Sequence, residues 1–410
     1  MRSKTRALIE NMTRTFQDDW LRWLTFGSVG LLLVVLYTWQ LDSLVPALSM
    51  SEAAIQQQVA RDELSLQQVI TTNQNFLHYS VALYVFQLLS LDSIFMLRFI
   101  GVGIGLMSIV SFFYLVSRWH TLRVSVFATI LYASSAVTLH SARVIDESTM
   151  YLLIPVVLAL AWHAKHTNKT IFRYLALIIA ASLILYIPGL FFVAAAVLLW
   201  QRKEFLTALK KANKYPVTVF ASIMVVMAGL LLFSWVLRPE SFLLWIGISL
   251  ADGLPGVIGY GQQVITTVIE LFFVGPNDPT RWVGTAGLIN PFVTVLFLMG
   301  LYSYVVQRQL DRVIVIGTLL FILIMLSGLG GAIDSFAIAP VVYIVAATGI
   351  ALLLQQWFTV FPKNPIARIF GLACIVFAIA VTVQYNVQRY FIAWPRTPEV
   401  HRVHQIPPAE

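Results

Sequence analysis

The chain has 410 residues, of which 59% are hydrophobic and only 11% charged. A soluble domain carries about 25% charged residues, so this composition excludes a soluble enzyme and indicates a polytopic membrane protein. The formal net charge of +8 raises the question of nucleic acid, but there is no basic stripe with interleaved aromatics, and the single cysteine, Cys374, excludes a disulfide framework or a thiolate metal site.

The first 23 residues carry Arg2, Lys4, Arg6, Arg14 and Arg22, and the first apolar run follows with no small-residue cleavage site after it. This reads as a retained anchor rather than a cleaved signal peptide. Apolar runs of spanning character lie near 24–41, 94–116, 124–140, 149–163, 171–187, 189–200, 217–237, 286–306, 313–330, 336–356 and 366–385. Some are short, and Pro188 breaks one long stretch into two.

The run 76–91, FLHYSVALYVFQLLSL, is ambiguous because it is short and contains His78 and Gln87. Laid along the outer surface of the membrane, it leaves eleven spans and an inner N-terminus. The inner segments then hold 19 of the 27 basic residues and only five of the 19 acidic ones, as the positive-inside rule requires. As a full span it would move Lys165 to Lys214 outside. The expected fold is therefore an all-α polytopic membrane protein of about 11 transmembrane helices, with a large first external loop carrying interfacial helices.

On this topology residues 1–410 form a single integral membrane domain. Its external segments are 42–93, 141–148, 238–285 and the tail 386–410. The expected location is the plasma (inner) membrane of a prokaryote, with the N-terminus cytoplasmic and the C-terminus external. No internal repeat is present, which counts against a lipid or glycan transporter, since many such folds are built from repeats.

Carboxylates beside lipid are costly and usually have a reason to be there. Ser51-Glu52 and Asp146-Glu147 fall on the same face. Ser49-x-x-Glu52 is also a capping box, and a cap would hold the Glu52 carboxylate in place. One of Asp146 and Glu147 suffices to cap the following helix; the second is free to orient an acceptor or to perturb its neighbour. Arg98 and Arg143 sit where spans meet the outer surface, suited either to interfacial anchoring or to phosphate. Asn277, Asp278 and Arg281 lie in VGPNDPTRWVG, a turn that places Arg281 beside Trp282. Gly101, Gly103 and Gly105 lie inside an apolar run, where small residues serve helix packing rather than phosphate binding. No H-E-x-x-H, Walker A, G-x-S-x-G or D-x-D motif is present, so no protein-held metal or cofactor is expected.

These features together resemble the C-type glycosyltransferases, in their protein O-mannosyltransferase-like and aminoarabinose-transferase-like branch. The resemblance rests on the acidic site at Ser51-Glu52 in the first external loop, on TTNQNFLHYSVALYVFQLL, and on Arg98 in DSIFMLRFIGVGIGLMS. It continues through SARVIDESTM and LFFVGPNDPTRWVGTAGLINPFVTVLFLMGLYSYVVQR. It covers most of residues 20–350 as a pattern. Ser51 stands where the family has an aspartate, which moves the expected base to Glu52.

The resemblance implies transfer of a sugar from a polyprenyl-phosphate donor to a lipid, polysaccharide or protein acceptor at the outer face, with inversion at the anomeric carbon. Glu52 is then the expected base and Asp146 or Glu147 the supporting acid. Arg98, Arg143 and Arg281 are the expected phosphate ligands, and Ser51, His78 and Asp278 the expected substrate contacts. A catalytically inactive relative that binds lipid-linked glycan, or acts as a scaffold, is the alternative that Ser51 motivates.

Overall fold

The computed structural model describes residues 27–45, 48–49, 52–53, 84–85, 93–144, 147–203, 207, 214–237, 239–248, 255–276, 278–307, 310–331 and 333–404. The interfacial helix expected over 76–91 and most of the 42–93 loop therefore lie outside the described residues.

All eleven apolar runs are helical. The first gives α1 (Gly27–Thr38) and the second α2 (Ile94–Trp119). The third is two helices, α3 (Leu122–Ala133) and α4 (Ala136–Arg143), bent by 59°. The kink has a local cause. Ser135 is extended and its side chain accepts from the Thr138 amide at 3.1 Å, so the backbone restarts a helix instead of continuing one. The fourth run opens with a 3₁₀ turn, Glu147–Leu153, and becomes α5 (Ile154–His166), with Pro155 in the first turn where its missing N–H is harmless.

The next helices are α6 (Thr170–Tyr186), α7 (Leu190–Trp200) and α8 (Lys214–Leu237). The break expected at Pro188 is real. Gly189 takes a left-handed φ of 81° between α6 and α7, a conformation that glycine adopts without a Cβ penalty. Two shorter helices follow in the 238–285 segment, α9 (Pro239–Ile246) and the amphipathic α10 (Val257–Phe272). The chain then forms α11 (Pro291–Val306), α12 (Leu310–Ser327), α13 (Ser335–Val360), α14 (Pro365–Gln388) and α15 (Pro398–Val403).

Among the described residues, five helices are long and apolar enough to cross a membrane, or six if α3 and α4 count as one broken span. The protein is a multi-pass, all-helical membrane protein. α1, α6, α7 and α11 are apolar but shorter than a full span.

α13 is the central helix. Its most apolar window is 89% buried inside the protein, against 11–56% for the other four long helices. Asp334 starts it by accepting from the Phe336 and Ala337 amides at 3.0 and 3.2 Å. α11 lies against it closely enough that a Cβ on Gly349 would overlap the Leu296 backbone, and one on Gly300 the Val345 backbone. Apolar helices gain little from burial in lipid, so van der Waals contact of this kind holds them together. Gly101 and Gly105 do the same for α2 against Ala142 of α4, while Gly103 faces open space. Gly349→Val is expected to cost at least the ~1–3 kcal/mol typical of overpacking. The measurement is the midpoint of thermal unfolding in detergent; an unchanged midpoint would show that α11 and α13 can part freely.

The two ends of the bundle differ in chemistry. One end carries Arg118, Arg123, Lys165, Lys169, Arg312, Lys363 and Arg368 at helix termini, with Lys165 paired to Asp311 at 3.4 Å. The other end holds Glu52, Arg98, Arg143, Glu270, Arg281 and Asp334, and the C-terminal residues 389–404 fold back onto it.

Candidate active site

Glu52 is fully buried, and Arg98 is 4% exposed beside it. Arg98 opens α2, and its Nε and Nη2 donate to the two Glu52 carboxylate oxygens at 3.0 and 3.2 Å. Its Nη1 donates to the Leu41 carbonyl at 2.8 Å and to that of Val45 at 3.4 Å. One guanidinium thus ties the end of the first helical run to the first loop and the second span. The capping box read from the sequence is formed: the Glu52 amide donates to Ser49 Oγ at 3.3 Å, and the Ser49 amide donates back to Glu52 Oε2 at 3.2 Å. Glu52, the expected base, has both carboxylate oxygens paired with Arg98.

Arg143 ends α4 and is 2% exposed. Its guanidinium donates to the carbonyls of Leu36, at 3.2 Å, and Trp39, capping carbonyls at the C-terminal end of α1. It also lies over the rings of Tyr390 and Phe391, 5.2 and 4.7 Å from their centroids. No carboxylate among the described residues pairs with it, and its Nε has no partner. Arg98 and Arg143 together line a narrow cavity of about 10 Å³ with Leu44, Tyr390, Trp394 and His404. The His404 Nδ1 donates to the Val400 carbonyl at 3.0 Å, and burial pushes its pKa down. It is therefore neutral near pH 7, and the two guanidiniums supply the charge of this cavity.

His140, one turn before Arg143, is 1% exposed and neither ring nitrogen has a hydrogen-bond partner. Its ring contacts Trp394, Tyr390 and Phe336, with centroids 5.0, 6.1 and 6.0 Å away. An imidazole left unsatisfied in an apolar box costs roughly 1–3 kcal/mol. His140→Phe is therefore expected to stabilise the protein by up to about that amount, seen as a raised unfolding midpoint, and a lowered midpoint would refute the orphan assignment.

Phe336 separates this box from a second, larger cavity of about 170 Å³. Gln263, Thr266, Thr267 and Glu270 of α10 line one side of it. Asp278 and Arg281 come from the turn, and Asp334, Ser335 and Phe336 from the start of α13. Arg281 is paired with Asp334, and its Nε lies 3.9 Å from Asp278. Asp278 also accepts from the Thr280 amide at 3.0 Å, so the turn read from Asn-Asp-Pro is formed. Glu270 has no cation beside it among the described residues; it accepts from the Ser335 hydroxyl at 2.9 Å. Burial pushes the Glu270 pKa above the usual carboxylate range; the Ser335 hydrogen bond opposes that shift, and the nearby Asp334 charge adds to it.

The expected site residues thus separate into two groups. Glu52, Arg98 and Arg143 come together on one side of His140 and Phe336; Asp278 and Arg281 sit on the other side, in the larger cavity. Ser51, His78 and Asp146 lie outside the described residues, as does the side chain of Glu147, whose backbone opens the 3₁₀ turn. The sequence reading missed Glu270, Asp334, His140 and His404. Asp334 carries a weak signal, an acid just before a 26-residue apolar helix. Glu270 carries a fainter one, the sole acid on the amphipathic helix α10.

No family model matches the sequence, and no curated protein matches it. Among solved structures, the fold is similar to that of ArnT from Cupriavidus metallidurans in the apo state, an aminoarabinose transferase of the GT-C type. The TM-score is 0.56 at 13% identity, covering 93% of this chain and 78% of that one. The likeness of fold thus extends over nearly the whole length of this chain.

Proposed function

We propose that this protein is a membrane glycosyltransferase that moves a sugar from a polyprenyl-phosphate donor to an acceptor at the outer face of the membrane. The observation that carries this reading is Arg143. Among the described residues it has no carboxylate partner; a buried guanidinium in that state is expensive, and it becomes favourable when an anion arrives. A donor phosphate is such an anion, and the planar fork fits its oxygens. The narrow cavity lined by Arg98 and Arg143, about 10 Å³, is the size of a single oxygen atom, which suits a phosphate oxygen. In the transfer step, negative charge builds on that phosphate as the anomeric carbon leaves it, and fixed cations stabilise this charge without reorganising.

Glu52 acts in this scheme by fixing Arg98. A proton-accepting role for Glu52 requires the ion pair to open, because both of its oxygens are held by Arg98. Arg281, already matched by Asp334 and Asp278, orients the larger cavity rather than binding phosphate. Asp146 and Glu147 follow Arg143 after Val144 and Ile145 and are proposed to orient the acceptor.

The test is the purified full chain in phospholipid vesicles, supplied with a radiolabelled polyprenyl-phosphate sugar and membranes of the producing cell as acceptor source. Label is expected to leave the polyprenyl lipid and appear in acceptor. Retention of all label on the polyprenyl lipid, with the protein folded, would defeat the reading. The clamped state of Glu52 favours one rival, a relative that binds lipid-linked glycan without transferring it. That rival predicts saturable binding of polyprenyl phosphate with no movement of label.

A further inference from the structure

The two faces of α10 point the opposite way from those of a helix on a water-facing surface, which turns its apolar side inward. Ile258, Ile265 and Ile269 recur at intervals of seven and four residues and form one stripe along the helix, and Phe273 follows just past its end. The stripe points outward: Ile258 is 79% exposed, Ile265 61% and Phe273 71%. The opposite face carries Gln263, Thr267 and Glu270, which line the larger cavity. Polar groups thus face the protein and apolar groups face away from it. No basic residue lies on α10, its sole acid lines the cavity, and the uncharged Gln262 is exposed at the edge of the stripe.

α10 runs across the end of the bundle. Near its start, the Tyr260 hydroxyl donates to the Met325 carbonyl in the last turn of α12 at 2.8 Å. Tyr260 and Val264 also pack on the turn after α12 so closely that a Cβ on Gly328 would overlap both. Near its end, Glu270 accepts from Ser335, the first residue of α13. The Glu270 and Leu271 carbonyls accept from the Leu288 and Ile289 amides, just before α11, at 3.0 and 2.8 Å. A helix of 16 residues is about 24 Å long. This one is fastened at both ends to the place where three apolar helices of the bundle begin or finish, so it lies over those termini, along the surface of the membrane.

A row of large apolar side chains at that level meets either water or lipid, and water is the unfavourable neighbour. The helices that hold α10 point to lipid. Phe321 of α12 and Val295 and Leu298 of α11 are each more than half exposed, so the stripe borders apolar surface that the bilayer covers. We propose that α10 lies in the boundary between membrane and water, with Ile258, Ile265, Ile269 and Phe273 among lipid acyl chains and its polar face on the larger cavity. Its partner is the bilayer itself, bound through apolar burial along one side of an amphipathic helix. The segment 238–285, read from the sequence as lying outside the membrane, thus returns to the lipid at α10. One wall of the larger cavity is thereby held at the depth of the lipid headgroups. The inference does not rest on the glycosyl-transfer reading.

The test uses the full chain in phosphatidylcholine nanodiscs, which leave both faces of the membrane open to solutes. The single cysteine, Cys374, is first replaced by alanine. Ile258→Cys, Ile265→Cys and Ile269→Cys are then made one at a time and labelled with bimane, with Gln263→Cys as the cavity-side control. All three stripe positions are exposed, so a label there displaces no packed neighbour, and three positions keep the test decisive if one variant folds poorly. Phosphatidylcholine carrying a nitroxide on its acyl chain is expected to quench the three stripe labels, at a depth of ~5–10 Å below the headgroup boundary. Aqueous iodide is expected to quench the Gln263→Cys label more strongly than any of them. Stripe labels quenched by iodide as fully as the control, and untouched by the nitroxide lipid, would place α10 in water and overturn the proposal. Stripe labels reached by neither quencher would also overturn it, and cross-linking of Ile265→Cys between chains would then assign the stripe to a second copy of the protein.

Discussion

Arg98→Ala is expected to destabilise the protein by about 3–5 kcal/mol, the usual consequence of removing one member of a buried ion pair. The reason is what it leaves behind. Glu52 is fully buried, and without Arg98 its charge loses the two-point guanidinium contact while keeping its hydrogen bonds with Ser49. The Leu41 carbonyl, which Arg98 now satisfies at 2.8 Å, loses its donor as well. The measurement is thermal unfolding in detergent, with proteolysis of the first loop as a local reporter. A double variant, Glu52→Leu with Arg98→Met, separates the causes. If the damage comes from a stranded charge, the double variant should recover much of the loss, since apolar replacement of a whole buried pair is often neutral. If both variants lose stability equally, the helix-end contacts of Arg98 matter more than the pair.

Arg143→Gln has the opposite signature. It is expected to reduce transfer by about 10²–10³-fold, the typical loss when one fixed donor to developing charge is removed. Its stability cost should be far smaller than that of Arg98→Ala, because the charge it removes has no carboxylate partner among the described residues. Glutamine can still donate toward the Leu36 or Trp39 carbonyl, although the stacking on Tyr390 and Phe391 is lost. Lysine at 143 should fall between, since it restores charge without the planar fork. Initial rates and unfolding midpoints on the same preparations decide the matter. A variant that unfolds as readily as Arg98→Ala would make Arg143 a structural anchor, and one that transfers at the wild-type rate would remove it from the phosphate site.

The two arginines look alike in the sequence, each a lone cation where an apolar helix ends. What distinguishes them is the partner that the fold brings to each. Arg98 meets Glu52, 46 residues earlier, whereas Arg143 meets the rings of Tyr390 and Phe391, nearly 250 residues later. Spacing along the chain carries no trace of either meeting.

Local chemistry was legible. Eleven apolar runs announced eleven helical regions, because a backbone in lipid must satisfy its own hydrogen bonds and helices do so within the segment. The Ser49–Glu52 cap, the break at Pro188-Gly189, the Asp278 turn and the packing role of Gly101 and Gly105 all depend on near neighbours, and each formed as read. The asymmetry of basic residues between loops set the two chemical ends of the bundle, since charge position follows from span order alone.

Only the tertiary structure decided which polar groups share a site. It turned α4 by 59° at Ser135 and so set the direction of the segment that carries His140 and Arg143. It clamped Glu52 with Arg98, and it joined Glu270 of α10 to Ser335 of α13 across 65 residues. Those placements follow from packing every apolar helix around α13. The chain's own pattern says how each helix begins, ends and buries itself, but its neighbours fix which of its few charges face one another.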